Sequence, residues 1–150
     1  MLSKLSKFSA LSWPERRLLL QAMLLLPLFW AGLRVFGWSR LHLWAARSPV
    51  TGNASRPDVE PAGIGALINV AAAHLPLPST CLTRSLLLVW LLGRRGVRSE
   101  LRIGVRMIEG GIESHAWVEH EGRPINDTSG TSARFAVFDR PLSPGPASLP

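Results

Sequence analysis

The hydrophobic pattern of this chain changes period once, between Gly93 and Ser99, and that change limits the folds open to it. From Cys81 to Leu92, the apolar residues Leu82, Leu86, Leu87, Val89, Trp90, Leu91 and Leu92 leave little polar surface, which predicts a central, buried helix. Gly93-Arg94-Arg95-Gly96 carries the stop signals, with glycine past the end and arginine in the last turn. From Ser99 to Ile108, Leu101, Ile103, Val105 and Met107 alternate with Glu100, Arg102, Gly104 and Arg106, as in a half-buried strand. Glu109-Gly110-Gly111 reads as a hairpin turn. A second strand, Glu113 to His120, puts His115 and Trp117 on one face and Ala116 and Val118 on the other. Glu121-Gly122 turns again into a short third strand, Arg123 to Thr128. A helix feeding a small antiparallel sheet is an α+β domain.

The N-terminal third is different in kind. Ser12-Trp13-Pro14-Glu15 has the form of a helix start, with Ser12 as N-cap, Glu15 as its capping-box partner and Pro14 in the first turn. The helix runs through the most apolar stretch of the protein, Leu18 to Leu33, with Gln21 inside it and a kink expected at Pro27. A transmembrane span calls for about 20 apolar residues, more than this run supplies. A signal peptide would need a small-residue cleavage site, which Trp30, Gly37 and Trp38 do not make. The reading taken is a helical hairpin, closed by a second helix at about Ser39 to Arg47, that packs on its own domain or on a partner; peripheral membrane contact through residues 13–46 stands next to it. The expected organisation is a basic helical extension over 1–48, a linker over 49–61, a core over 62–140 that opens with an Ala-rich helix to His74, and a disordered tail over 141–150. Residues 1–11 are expected to fray.

Charge follows the same division. The net charge is +7, and residues 1–48 hold +6 of it. These cations are interleaved with Leu and Trp, not with nucleic-acid-reading motifs, so a membrane surface or an acidic protein fits better than nucleic acid.

The candidate chemistry gathers on Cys81, the single cysteine of the chain. Pro76 and Pro78 hold off helix before it, and Ser79 or Thr80 can cap the helix that it begins. A thiol in a first helical turn lies beside unpaired N–H groups and the positive end of the dipole, which favour the thiolate that attacks carbonyl carbon. His115 follows 34 residues later and Asp127 12 after that. Nucleophile, base and orienting carboxylate are the parts of a cysteine-hydrolase triad, and the backbone N–H of Cys81 is the simplest oxyanion donor. Each residue also has a plain structural reading: a buried small hydrophobe, a hydrogen-bonded strand histidine, a cap beside a turn. Asn126 is a second candidate for the orienter. Arg84, one turn past Cys81, either serves substrate or forms a surface ion pair, and Trp117 either lines a cleft or packs in the core. His74 and Cys81 lack zinc-ligand spacing, and His42 and His120 have no evident partner.

Cys81-Leu82-Thr83-Arg84-Ser85-Leu86, Gly104-Val105-Arg106, His115-Ala116-Trp117-Val118-Glu119 and Asn126-Asp127 together resemble the lasso peptide biosynthesis B2 proteins, transglutaminase-like cysteine peptidases that cut the leader from a ribosomally made precursor. The resemblance covers about Pro61 to Thr128, and the segment from Trp13 to Trp44 is similar to that family's N-terminal region. It implies a papain/transglutaminase-like core, with Cys81, His115 and Asp127 as the catalytic residues and Asp127 rather than Asn126 as orienter. It implies the precursor peptide as substrate, cut close after a threonine near the leader's end, with no metal or nucleotide cofactor. Some members carry a fused leader-recognition domain, for which this chain is expected to leave no room. A separate recognition protein and an ATP-dependent macrolactam synthetase are then the implied partners, in the cytoplasm. The alternatives kept are acyl transfer to an amine, as in transglutaminases, and a non-catalytic scaffold that gathers partners at a membrane.

Overall fold

The computed structural model describes residues 11–47, 58–76, 78 and 80–138. Helix α1 (Trp13–Ala46) starts as the sequence predicts: the Ser12 N–H donates to Glu15 Oε2 at 2.7 Å, and its hydroxyl donates to the same oxygen at 2.6 Å. The break in α1 falls at Gly37, between Leu33 and Ser39 where the hairpin was expected to turn, and Pro27 keeps helical backbone angles. Gly37 sits at φ 74° and ψ 173°, a conformation that side chains with a Cβ avoid, and the chain doubles back there. The rings of Phe29 and Trp44 stand 6.1 Å apart, whereas 15 residues of straight helix would separate them by about 22 Å. Trp44 in turn stacks on Trp90 at 5.9 Å.

Helices α2 (Pro61–His74) and α3 (Cys81–Arg94) complete a three-helix layer. Leu86, Leu87, Leu88, Leu91 and Leu92 are fully buried, so α3 is the central helix. Of the two expected settings for the N-terminal hairpin, its own domain or a partner, the first is seen over the described part: Leu18, Leu19, Ala22, Leu26 and Phe29 join the same hydrophobic cluster as Ile64, Ile68 and Leu87. An apolar face that long is most stable against another apolar face. Among the described residues, α1 is the one helix long and apolar enough to cross a membrane by length and composition. The expected fraying of the N-terminus, most of the linker and the tail fall outside the described residues.

Strands β1 (Glu100–Ile108) and β2 (Gly111–His120) form the predicted hairpin, with Gly104 opposite His115 and Leu101 opposite Val118. The four-stranded antiparallel sheet has the order β3-β2-β1-β4, where β3 is Arg123–Pro124 and β4 is Ala136–Val137, and a short helix α4 (Thr131–Arg134) precedes β4. Leu101 and Val118 face the helices. Trp117 faces away and is nonetheless fully buried, because Phe135 folds over it. Gly104 makes this possible: a Cβ there would stand 2.8 Å from Phe135 Cβ and 3.0 Å from the Trp117 ring. The third strand is shorter than predicted. After the Ile125 N–H donates to Val118 O at 2.9 Å, the Val118 N–H is taken by the side-chain Oδ1 of Asn126 at 2.8 Å. The backbone ladder ends there, and Asp127 sits in a bend.

Candidate active site

Cys81 is the first residue of α3 and is half-buried, with its thiol free. Thr80 caps the helix, its Oγ1 accepting the Thr83 N–H at 3.2 Å, and its carbonyl accepts the Arg84 N–H at 3.2 Å. The N–H groups of Cys81 and Leu82 are the first-turn donors that the helix itself leaves unpaired. Unpaired donors of this kind, beside a sulfur, are the chemical type that can stabilise an oxyanion. Ser79, the other predicted cap, lies outside the described residues.

His115 lies on β2 and is held from three sides. Its ring stacks on Phe135 at 5.1 Å and on Trp117 at 6.1 Å, and its Nε2–H donates to Asp127 Oδ2. Nδ1 is the nitrogen that the carboxylate leaves free. Asp127 Oδ1 accepts the Thr128 N–H at 2.7 Å. Burial pushes the Asp127 carboxyl up, but hydrogen bonds from His115, the Thr128 N–H and Thr131, together with the charge on His115, outweigh it and hold the group below the ordinary aspartate value. The Asp127 carboxylate is thus kept ionised. Asn126, the other candidate for that task, points elsewhere.

Asn126 instead locks the bend to the helices. Its Nδ2 donates to Ser85 Oγ at 3.0 Å, and its carbonyl accepts from Asn69 Nδ2 at 2.9 Å. Ser85 Oγ donates in turn to the Ala116 carbonyl at 3.1 Å. One buried hydroxyl therefore ties α3, β2 and the bend together. Gly65 on α2 admits the bend, since a Cβ there would overlap the carbonyl oxygen of Ile125. Asn69 also accepts from Arg84 Nη1 at 3.1 Å, while Arg84 Nε is buried without a partner among the described residues. Among the described residues no carboxylate pairs with Arg84, so the surface ion pair is not formed.

Cys81, Arg84, His115, Asn126 and Asp127 line one pocket of about 520 Å³, with Asn69 and Ile125 among its walls. Among the described residues no hydrogen bond joins the Cys81 sulfur to the imidazole; the two meet as walls of this pocket. Trp117 does not line it. Its indole N–H donates to Glu119 Oε1 at 2.9 Å, and it packs behind His115 as core. Glu119 is a hub that sequence reading passed over. It also accepts from Ser132 Oγ at 2.8 Å and Arg102 Nε at 3.1 Å, fixing α4 and Phe135 over the sheet. Burial pushes the Glu119 carboxyl up, and bonds from Trp117, Ser132 and Arg102 bring it below the ordinary glutamate value. Asn69 was the other silent residue; its one visible signal is a lone amide amid Ile68, Val70 and three alanines.

A sulfur at a helix N-terminus, an imidazole with one nitrogen fixed by a carboxylate, and two free N–H groups are together equipped for acyl transfer through a thioester. No curated protein and no solved structure matches the chain. A family model does: the transglutaminase-like superfamily model matches residues 22–139, taking in the Cys, His and Asp positions and most of α1. With an α+β layout of helices over a four-stranded antiparallel sheet, the chain belongs to the transglutaminase-like superfamily.

Proposed function

We propose that this protein is a cysteine peptidase that removes the leader from a ribosomally made lasso peptide precursor. One observation carries the peptidase reading: the Nε2-to-Asp127 bond leaves Nδ1 of His115 as the nitrogen for the sulfur that shares its pocket. The choice of substrate rests on the motif resemblance.

In this reading Nδ1 takes the thiol proton and the sulfur attacks the scissile carbonyl. The oxyanion is received by the N–H groups of Cys81 and Leu82. The C–N bond breaks as the imidazolium protonates the departing core-peptide amine, leaving the leader as a thioester on Cys81. Water, deprotonated by the imidazole, then cleaves the C–S bond and releases the leader as a carboxylic acid. Arg84 offers a donor to a substrate carbonyl on the pocket wall. The chemistry calls on no metal or nucleotide. The reading brings with it a separate leader-recognition protein, a macrolactam synthetase acting on the freed core, and a cytoplasmic setting.

The test is mass spectrometry of the precursor incubated with this protein and its recognition partner. Two fragments whose masses sum to that of the precursor plus one water support hydrolysis, and Cys81→Ala should yield none. A product that joins the leader to an added amine would replace peptidase with acyl transferase. Full biological activity of Cys81→Ala would replace both with the scaffold.

A further inference from the structure

One face of α1 is apolar and exposed among the described residues. Trp13, Leu20, Leu24, Leu28 and Val35 are 71%, 53%, 74%, 65% and 73% exposed. At 100° per residue these five fall within a sector of about 80°, and from first to last they extend about 33 Å. The opposite side of the same helix carries Leu18, Ala22, Leu26 and Phe29, all buried in the core. The domain therefore holds one side of α1 and presents the other as a greasy ridge.

Apart from Glu15, the charges along α1 are of one sign. Arg17 lies within it and Arg34 beside its far end, both exposed, and Arg40 and Arg47 follow past the Gly37 corner. The acid of this region, Glu15, is engaged with Ser12. We infer that this ridge is a docking surface for an anionic lipid bilayer, on which α1 lies in the plane of the headgroups. Leucine and valine enter the acyl boundary, Trp13 sits at headgroup depth, and the arginines reach back to phosphates. A second copy of the chain fits poorly, because pairing two such ridges sets arginine against arginine with no acid between them. A transmembrane course fits poorly too, because the buried side of α1 would have to take α2 and α3 into the hydrocarbon with it.

The test is co-sedimentation of the full chain, as Cys81→Ala to separate it from any peptidase activity, with phosphatidylcholine vesicles containing or lacking 30% phosphatidylglycerol. The expected result is recovery with the anionic vesicles and little with the neutral ones. Leu24→Gln with Leu28→Gln should cut the partition at least tenfold, with an unchanged circular dichroism spectrum, since both side chains point to solvent. Arg17→Gln and Arg34→Gln should each cut it about fivefold. A carbonate wash at pH 11 should release the protein. Absence of binding, equal binding of the leucine variant, or retention through the wash would each overturn the proposal; so would a dimer in solution that the leucine variant dissolves while vesicles capture nothing.

Discussion

His115 commits Nε2 to Asp127, so Nδ1 is the one ring nitrogen left for the sulfur of Cys81. The carboxylate decides this: with Thr128 and Thr131 also donating to it, it stays ionised and demands a proton from the ring. Asp127→Asn keeps the shape but can present its N–H to Nε2 and reverse the tautomer. Turnover of the precursor should fall about 10²–10⁴-fold with the thermal midpoint little changed. Turnover within threefold of wild type would refute the orienting role.

The pairing of base and nucleophile is readable without substrate. At pH 6 a free thiol with a pKa of about 8.5 is almost wholly protonated. Iodoacetamide should then alkylate wild-type Cys81 at least about tenfold faster than Cys81 in His115→Ala. Equal rates at pH 6 would mean that the imidazole does not serve the sulfur in the unbound protein.

Glu119 and Asp127 both lie below their ordinary values in the folded chain, so the sign of their linkage is fixed. Their contribution to stability is full above the unfolded carboxylate values of about 4 and is lost as pH falls through the lower folded ones. Denaturation midpoints should be flat near neutral pH and drop below about pH 4. Glu119→Gln, which leaves Arg102 with Glu100 as its remaining carboxylate partner and weakens the bonds from Trp117 and Ser132, should cost about 1–2 kcal/mol at pH 7 and reduce the acid drop. An acid drop as steep as that of wild type would place the titrating group elsewhere.

Gly65→Ala pushes a methyl group into the Ile125 carbonyl two residues before Asp127. It should cost about 1–3 kcal/mol and, at temperatures where the protein is folded, lower turnover by at least about tenfold. Gly63→Ala, two residues earlier on the helix, meets the partly exposed Val59 side chain at 3.1 Å, which needs to give by only a few tenths of an ångström, and should change both far less. If the two variants behave alike, the close approach at Gly65 does not set the bend.

The parts of this fold that were legible before the structure are those encoded within one element. The capping of α1, the helix that begins at Cys81, the hairpin of β1 and β2 and the spacing of Cys81, His115 and Asp127 all follow from local pattern. What was not legible depends on residues far apart in sequence. Asn69 and Asn126 meet across 57 positions, and nothing local foretells that Asn126 would replace a backbone partner and shorten the third strand. α4 and β4 are too short to show a period, so the cover that Phe135 makes for Trp117 was hidden, and the indole was open to a cleft reading. The corner of the α1 hairpin was legible to within a few residues, since Gly37 lies between the two helices read from the pattern and can adopt the positive φ that a tight reversal needs.

The hydroxyl of Ser85 lies one helical turn after Cys81, touches the carbonyl of the residue that follows His115, and receives the side chain of the residue that precedes Asp127. It acts as a common datum. A drift of helix, strand or bend carries the others along through the same atom, so errors in the three positions are correlated and largely cancel in the separations between them. Precision of this kind does not require stiffness of the domain as a whole, and so a small sheet with two-residue edge strands can still keep its reacting groups in step.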